Sequence, residues 1–217
     1  MKKPKTIRAV LFDYDGVIAN TIEANFLSWR HVFLQLKVSL TRKEFLSFEG
    51  MRPLELAQAV CQRYGLPQER AQGIISEKED YFITHYTPPI YSGVEDLLRG
   101  LRKSGIKLGL VSVGNKVRIY NTTPKHIISQ FDAVVTGDEI EKPKPDPEPY
   151  VKILSKLRVS SNNVVVIEDS SLGIESAKAA GTYCIAVAST RDKGLLQEAD
   201  IIVDNMFEVN RILQKIL

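Results

Sequence analysis

Two aspartates, Asp13 and Asp15, stand two residues apart in AVLFDYDGVIANT (residues 9–21), reached through a run of apolar residues and followed at once by Gly16. Carboxylates this close repel one another unless a cation or a shared proton relieves the charge. At the end of a strand, residues two apart can project to one side, and Gly16 permits a sharp turn away from the site. A second acidic pair, Glu168 and Asp169, closes the apolar run NVVVIED. Asp169 also stands where a helix N-cap belongs, just before SSLGIESAKAAG. Neither acidic pair has a His or Cys beside it. An all-oxygen cluster of this kind suits a hard octahedral cation, Mg²⁺, better than zinc. Ser112, at the end of IKLGLVS, and the lysines of TGDEIEKPKPDPEP add groups that can grip an anion.

The elements that must position these residues fall into three regions. IRAVLFD (residues 7–13) is a nearly continuous apolar run, as expected of a parallel strand covered on both faces. From about residue 20 to 88 the spacing is helical, with Ile22, Phe26, Trp29, Val32, Phe33 and Leu36 at threes and fours. Thr41 and Glu44 form a capping pattern there. From residue 89 strands and helices alternate, with strands in IKLGLVS, DAVVT, NVVVIED, YCIAVA and DIIVD. One helix is expected over TTPKHIISQF (122–131), and a longer one over residues 66–86. Alternation of this kind predicts an α/β fold, a three-layer Rossmann-like parallel-sheet core of residues 1–18 and 89–217. Residues 19–88 form an inserted all-helical domain. In an open parallel sheet, sites form beyond the carboxyl ends of the strands, where all the acids named above lie.

Composition narrows the function classes. The 217 residues carry 29 basic and 26 acidic side chains, a net charge of +3, with no basic block beyond MKKPK, so no nucleic-acid partner is expected. The two cysteines, Cys61 and Cys184, lie far apart and read as buried thiols of a reducing compartment. No apolar run approaches the roughly 20 residues that span a bilayer, and no secretory signal is visible. A cytoplasmic protein without membrane attachment is expected, in which the Asn121 sequon carries no meaning.

Four segments in order, DYDGV, the strand ending at Ser112, KPKPDP and VIEDSSLGIESAKAAG, resemble the haloacid dehalogenase superfamily in its β-phosphoglucomutase-like branch of phosphatases and mutases. The resemblance implies that Asp13 is the nucleophile, forming an aspartyl-phosphate, and that Asp15 is the general acid and base. It implies Mg²⁺ held by Asp13, the backbone carbonyl of Asp15 and Asp169, with Glu168 helping directly or through water. Ser112 and Lys142 align with the groups that grip the phosphoryl oxygens, together with the backbone of Val113 and Gly114. Lys142 is taken over Lys144 because it precedes the first proline of the run. Asn115 either caps the next helix or touches substrate.

The helical insert matches the branch's cap domain, and FEGMRPLE resembles its substrate loop, with Gly50 and Arg52 available to a ligand. Sugar-phosphate mutases of the branch, and some of its phosphatases, carry a His where this chain has Asn25, which cannot titrate. The expected function is therefore a Mg²⁺-dependent phosphatase of a small phosphorylated metabolite, such as a sugar phosphate. A β-phosphoglucomutase-type mutase is the alternative, and a non-enzymatic phosphoaspartate domain a distant one. A monomer or weak homodimer is expected.

Overall fold

The protein is described by a computed structural model covering residues 3–48 and 51–217. Strand β1 (Ala9–Asp13) leads into helices α1 (Ile22–Gln35), α2 (Arg42–Ser47), α3 (Pro53–Tyr64) and α4 (Ala71–His85). There follow α5 (Val94–Lys103), β2 (Lys107–Val111), α6 (Lys116–Thr122), α7 (Lys125–Ile128) and β3 (Ala133–Val135). The chain ends with α8 (Glu148–Leu157), β4 (Val164–Glu168), α9 (Ser171–Ala179), β5 (Tyr183–Val187), β6 (Ile201–Val203) and α10 (Met206–Ile216).

All six strands pair in parallel in one sheet, in the order β3-β2-β1-β4-β5-β6. The chain runs outward from β1 to β3, returns to β4, and runs outward the other way. The reversal opens a crevice between the carboxyl ends of β1 and β4, which is where a ligand site forms in a sheet of this kind. Successive β1 residues serve opposite faces. Val10 and Phe12 pack with Leu97 and Leu98 of α5 and Val209 and Leu213 of α10. Ala9 and Leu11 pack with Ile153 and Leu157 of α8 and Ile174 and Ala177 of α9. Both faces are therefore covered, so the strand reads as an unbroken apolar run.

Two compact units result. Met1–Asn20 with Pro89–Leu217 holds the sheet, and Thr21–Pro88 holds α1 to α4. The helical unit has its own core, including Trp29, Phe33, Val60 and Ile74. Cys61 and Cys184 are buried free thiols. No described helix is long and apolar enough to cross a membrane.

Two elements differ from the sequence expectation. The helix expected over 66–86 begins only at Ala71, as α4, after a separate 3-10 turn at Gln68–Arg70 that follows Pro67. In place of a helix over 122–131 there are two short ones, divided at Pro124. Pro124 lacks the N–H a continuing helix needs and instead precedes α7. The earlier helix starts at Lys116, where the Asn115 side chain accepts the Arg118 amide at 2.7 Å.

Both short edge strands are docked by the same device. Asp132, just before β3, donates its amide to the Leu108 carbonyl at 2.8 Å, and its carboxylate accepts the Leu108 amide at 2.8 Å. Asp200, just before β6, likewise accepts the Cys184 amide at 2.9 Å and the Lys178 ammonium at 2.6 Å. Burial alone would raise the Asp200 carboxyl, but Lys178 and that amide hold it below the usual carboxylate range. Asp200→Ala is expected to cost about 2–3 kcal/mol at pH 7, measured by urea unfolding, because it strands a buried N–H and an ammonium. A depressed folded pKa stabilises above the unfolded value and is lost as pH falls through the folded one. The difference between wild type and variant should therefore shrink toward pH 3; a pH-independent difference would contradict this role.

Candidate active site

The register of β1 on β4 pairs Phe12 with Ile167, which brings Asp13 and Glu168 to the same strand-end level. Carboxylate oxygens of Asp13, Glu168 and Asp169 all lie within 4.8 Å of one another, and all three residues are buried. Two glycines leave the space for them. A Cβ on Gly16, whose φ is +80°, would fall 1.9 Å from Asp169 Oδ2, and one on Gly173 would fall 1.9 Å from Glu168 Oε1.

Glu168 has no exposed surface and accepts bonds on both oxygens. Its Oε1 receives the Lys144 ammonium at 2.5 Å and the Tyr150 hydroxyl at 2.7 Å. Its Oε2 receives the amides of Asp169 and Ser170 and the Ser170 hydroxyl, at 3.0, 3.3 and 3.1 Å. Lys144 also bonds Asp13 and lies over the Tyr150 ring, 5.3 Å from its centroid. Asp169 takes a hydrogen bond from Thr190.

The charges do not balance. Burial pushes the Asp13 carboxyl up to about 8, with Lys144 opposing and Glu168 and Asp15 adding to the rise. Burial, then Glu168 and Asp13, push Asp169 well above the carboxylate range. Burial works against the Lys144 ammonium, but the attraction of Asp13 and Glu168 outweighs it and holds its pKa above the ordinary lysine value. Three buried acids thus stand against one ammonium, which bonds two of them, and this leaves room for a cation of charge two. The donors are oxygens alone, and they fit Mg²⁺.

The carboxylates of Asp13 and Asp15 have different partners. That of Asp15 is not part of the three-acid cluster among the described residues. It accepts the Ser112 hydroxyl at 3.3 Å and Arg118 Nη2 at 3.2 and 3.5 Å. Ser112 is buried, and its Oγ in turn accepts the Gly114 amide at 3.0 Å. Val113 is exposed, and Asn115 serves α6 as its cap.

Lys142 requires a correction: Lys144, not Lys142, enters this pocket. Glu148 accepts the amides of Glu141 and Lys142 at 2.9 and 2.8 Å, and the Lys142 side chain is exposed. A turn follows, closed by the Asp146 amide on the Pro143 carbonyl at 3.0 Å, and Lys144 lies inside it. The Ser176 hydroxyl fastens the Asp146 carbonyl at 2.6 Å. In the helical unit, Asn25 accepts a bond from the buried Lys78 ammonium at 2.7 Å. Arg52 lies exposed at the N-cap of α3, bonded to Glu55 at 2.7 Å. Gly50 lies outside the described residues. Sequence reasoning missed Lys144, Tyr150, Thr190 and Arg118. For Lys144 the signal was present, since it occupies the same KPKP run.

Removing Lys144 leaves three buried carboxylates without an internal cation. Lys144→Ala is expected to cost about 3–5 kcal/mol in EDTA, measured by urea unfolding, and part of that loss should be recovered in Mg²⁺. Lys142→Ala should stay within about 0.5 kcal/mol of wild type. Equal effects of the two substitutions would contradict the assignment.

Comparison with known proteins agrees with this architecture. The sequence profile of haloacid dehalogenase-like hydrolases matches residues 10–187. The chain is 30% identical over 207 residues to validoxylamine A 7'-phosphate phosphatase of Streptomyces hygroscopicus subsp. limoneus, covering 93% of this chain and 95% of that one. It is 30% identical over 206 residues to β-phosphoglucomutase of Bacillus subtilis, covering 91% and 89%. The crystal structure of CbbY from Rhodobacter sphaeroides in complex with phosphate superposes with a TM-score of 0.83 at 25% identity, covering 94% and 96%. With its strand-end acids and doubly covered parallel sheet, this chain belongs to the haloacid dehalogenase-like hydrolases, in their β-phosphoglucomutase-like branch.

Proposed function

We propose that the chain is a Mg²⁺-dependent phosphatase of a small phosphorylated metabolite, a sugar phosphate or a similar ester, working through a phosphoaspartate on Asp13. The observation that carries this reading is the division of the acids. Asp13 shares a buried cluster with Asp169 and Lys144, while Asp15 is held by Ser112 and Arg118.

Each group then has a task. A carboxylate oxygen of Asp13 attacks phosphorus, and the bond from phosphorus to the leaving oxygen breaks. Asp15 gives that oxygen its proton, then takes a proton from the water that attacks the phosphoaspartate. Inorganic phosphate leaves, and Asp13 and Asp15 are restored. Lys144 neutralises part of the charge that brings two anions together, and the Gly114 and Ser112 loop faces the same strand end. A Mg²⁺ held by Asp13 and Asp169 would screen the remaining charge on the phosphoryl oxygens. Glu168, saturated by five donors, holds Lys144 in place.

The Streptomyces relative, named as a phosphatase, supports hydrolysis, and the Bacillus relative, named as a β-phosphoglucomutase, supports the alternative. Asn25 favours hydrolysis, since an amide bonded to Lys78 cannot relay a proton. Sustained turnover of p-nitrophenyl phosphate in Mg²⁺, abolished by EDTA and lowered at least ~1,000-fold by Asp13→Asn, is the expected outcome. Retained activity in Asp13→Asn would overturn the reading. Stoichiometric labelling without turnover would indicate a phosphoaspartate domain, and conversion of β-glucose 1-phosphate to glucose 6-phosphate a mutase.

A further inference from the structure

Arg118 forms an ion pair with Asp15, its Nη2 standing 3.2 Å from Oδ2. Its residue is only 5% exposed, and its guanidinium lies directly beneath Gly114, where a Cβ would fall 2.2 Å from Nη2. The backbone around it is fixed at both ends. Asn115 Oδ1 accepts its amide at 2.7 Å, and the Thr122 hydroxyl donates to its carbonyl at 2.8 Å. Nη2 reaches both oxygens of Asp15, and the Ser112 hydroxyl reaches one of them.

A permanently charged guanidinium is expensive to bury, and an apolar side chain would serve a helix core at least as well. The site meanwhile gathers four acids, of which three form one cluster. An unrestrained fourth carboxylate beside a divalent ion would be drawn to it and lost as a proton carrier.

We propose that Arg118 is a positioning residue for Asp15. Resting on the phosphatase reading above, it fixes the Asp15 carboxylate apart from the Asp13–Glu168–Asp169 cluster and toward the leaving oxygen. The same carboxylate serves both proton transfers, so Arg118 bears on formation and breakdown of the phosphoaspartate alike. Gly114 is small because the guanidinium passes beneath it.

The test is a double-mutant cycle on p-nitrophenyl phosphate turnover in Mg²⁺, with R118A, D15N and the pair. R118A should lower kcat about 10- to 100-fold with little change in KM, as expected for a misplaced reacting group. Millimolar guanidinium chloride should restore part of that rate in R118A and not in wild type. In the D15N background R118A should cost almost nothing further, because the group it positions has gone. Thermal melting establishes that each variant is folded. Should R118A melt below the assay temperature, R118M, which keeps the volume without the charge, gives the same comparison. Wild-type kcat in the folded Arg118 variant overturns the assignment, and so does an equal fold-loss in wild-type and D15N backgrounds. Absence of turnover in wild type overturns the phosphatase reading itself and is told apart by that control alone.

Discussion

The site rests on an imbalance of buried charge. Asp13, Glu168 and Asp169 converge at the crevice between β1 and β4, and Lys144 is the cation the chain supplies against them. A buried ammonium shared by two carboxylates is a compromise: it keeps the metal-free fold intact yet leaves negative charge for a divalent ion. The surrounding contacts follow from this. Tyr150 and Ser170 saturate Glu168, Thr190 holds Asp169, and glycines at 16 and 173 give the carboxylates their space.

The sheet makes that convergence possible. Parallel pairing brings residues distant in sequence to one edge, and the reversal of strand order leaves that edge open. The interior on either side is apolar and continuous, so the strand ends are where buried polar groups gather. The reciprocal Asp132 and Asp200 contacts fasten the outer strands, at a distance from the chemistry.

Much of this was legible in the sequence, for physical reasons that differ by element. All six strands were readable because parallel strands buried on both faces are unbroken apolar runs bounded by turns. Asp13, Asp15, Glu168 and Asp169 stood out because carboxylates ending such runs need compensation. The choice of Lys142 over Lys144 went the wrong way. Two lysines in one KPKP run are chemically alike, and only the Pro143–Asp146 turn and the grip of Glu148 on the Lys142 amide separate them. Arg118 was invisible because its partner lies 103 residues away and its own helix, short and holding Val117 and Ile119, has weak periodicity. Tyr150 read as an apolar helix position, and nothing local indicates that its hydroxyl ends on Glu168.

The most direct test of the charge imbalance is calorimetric titration of the metal-free protein with Mg²⁺ in buffers of different ionisation enthalpy. With Asp13 raised to about 8 by burial, part of the cluster is protonated at pH 7, so binding should take up one Mg²⁺ per chain and release protons. The release should diminish as the pH is raised. Binding without proton release at pH 7, or no binding that depends on Asp13 and Asp169, would contradict the account.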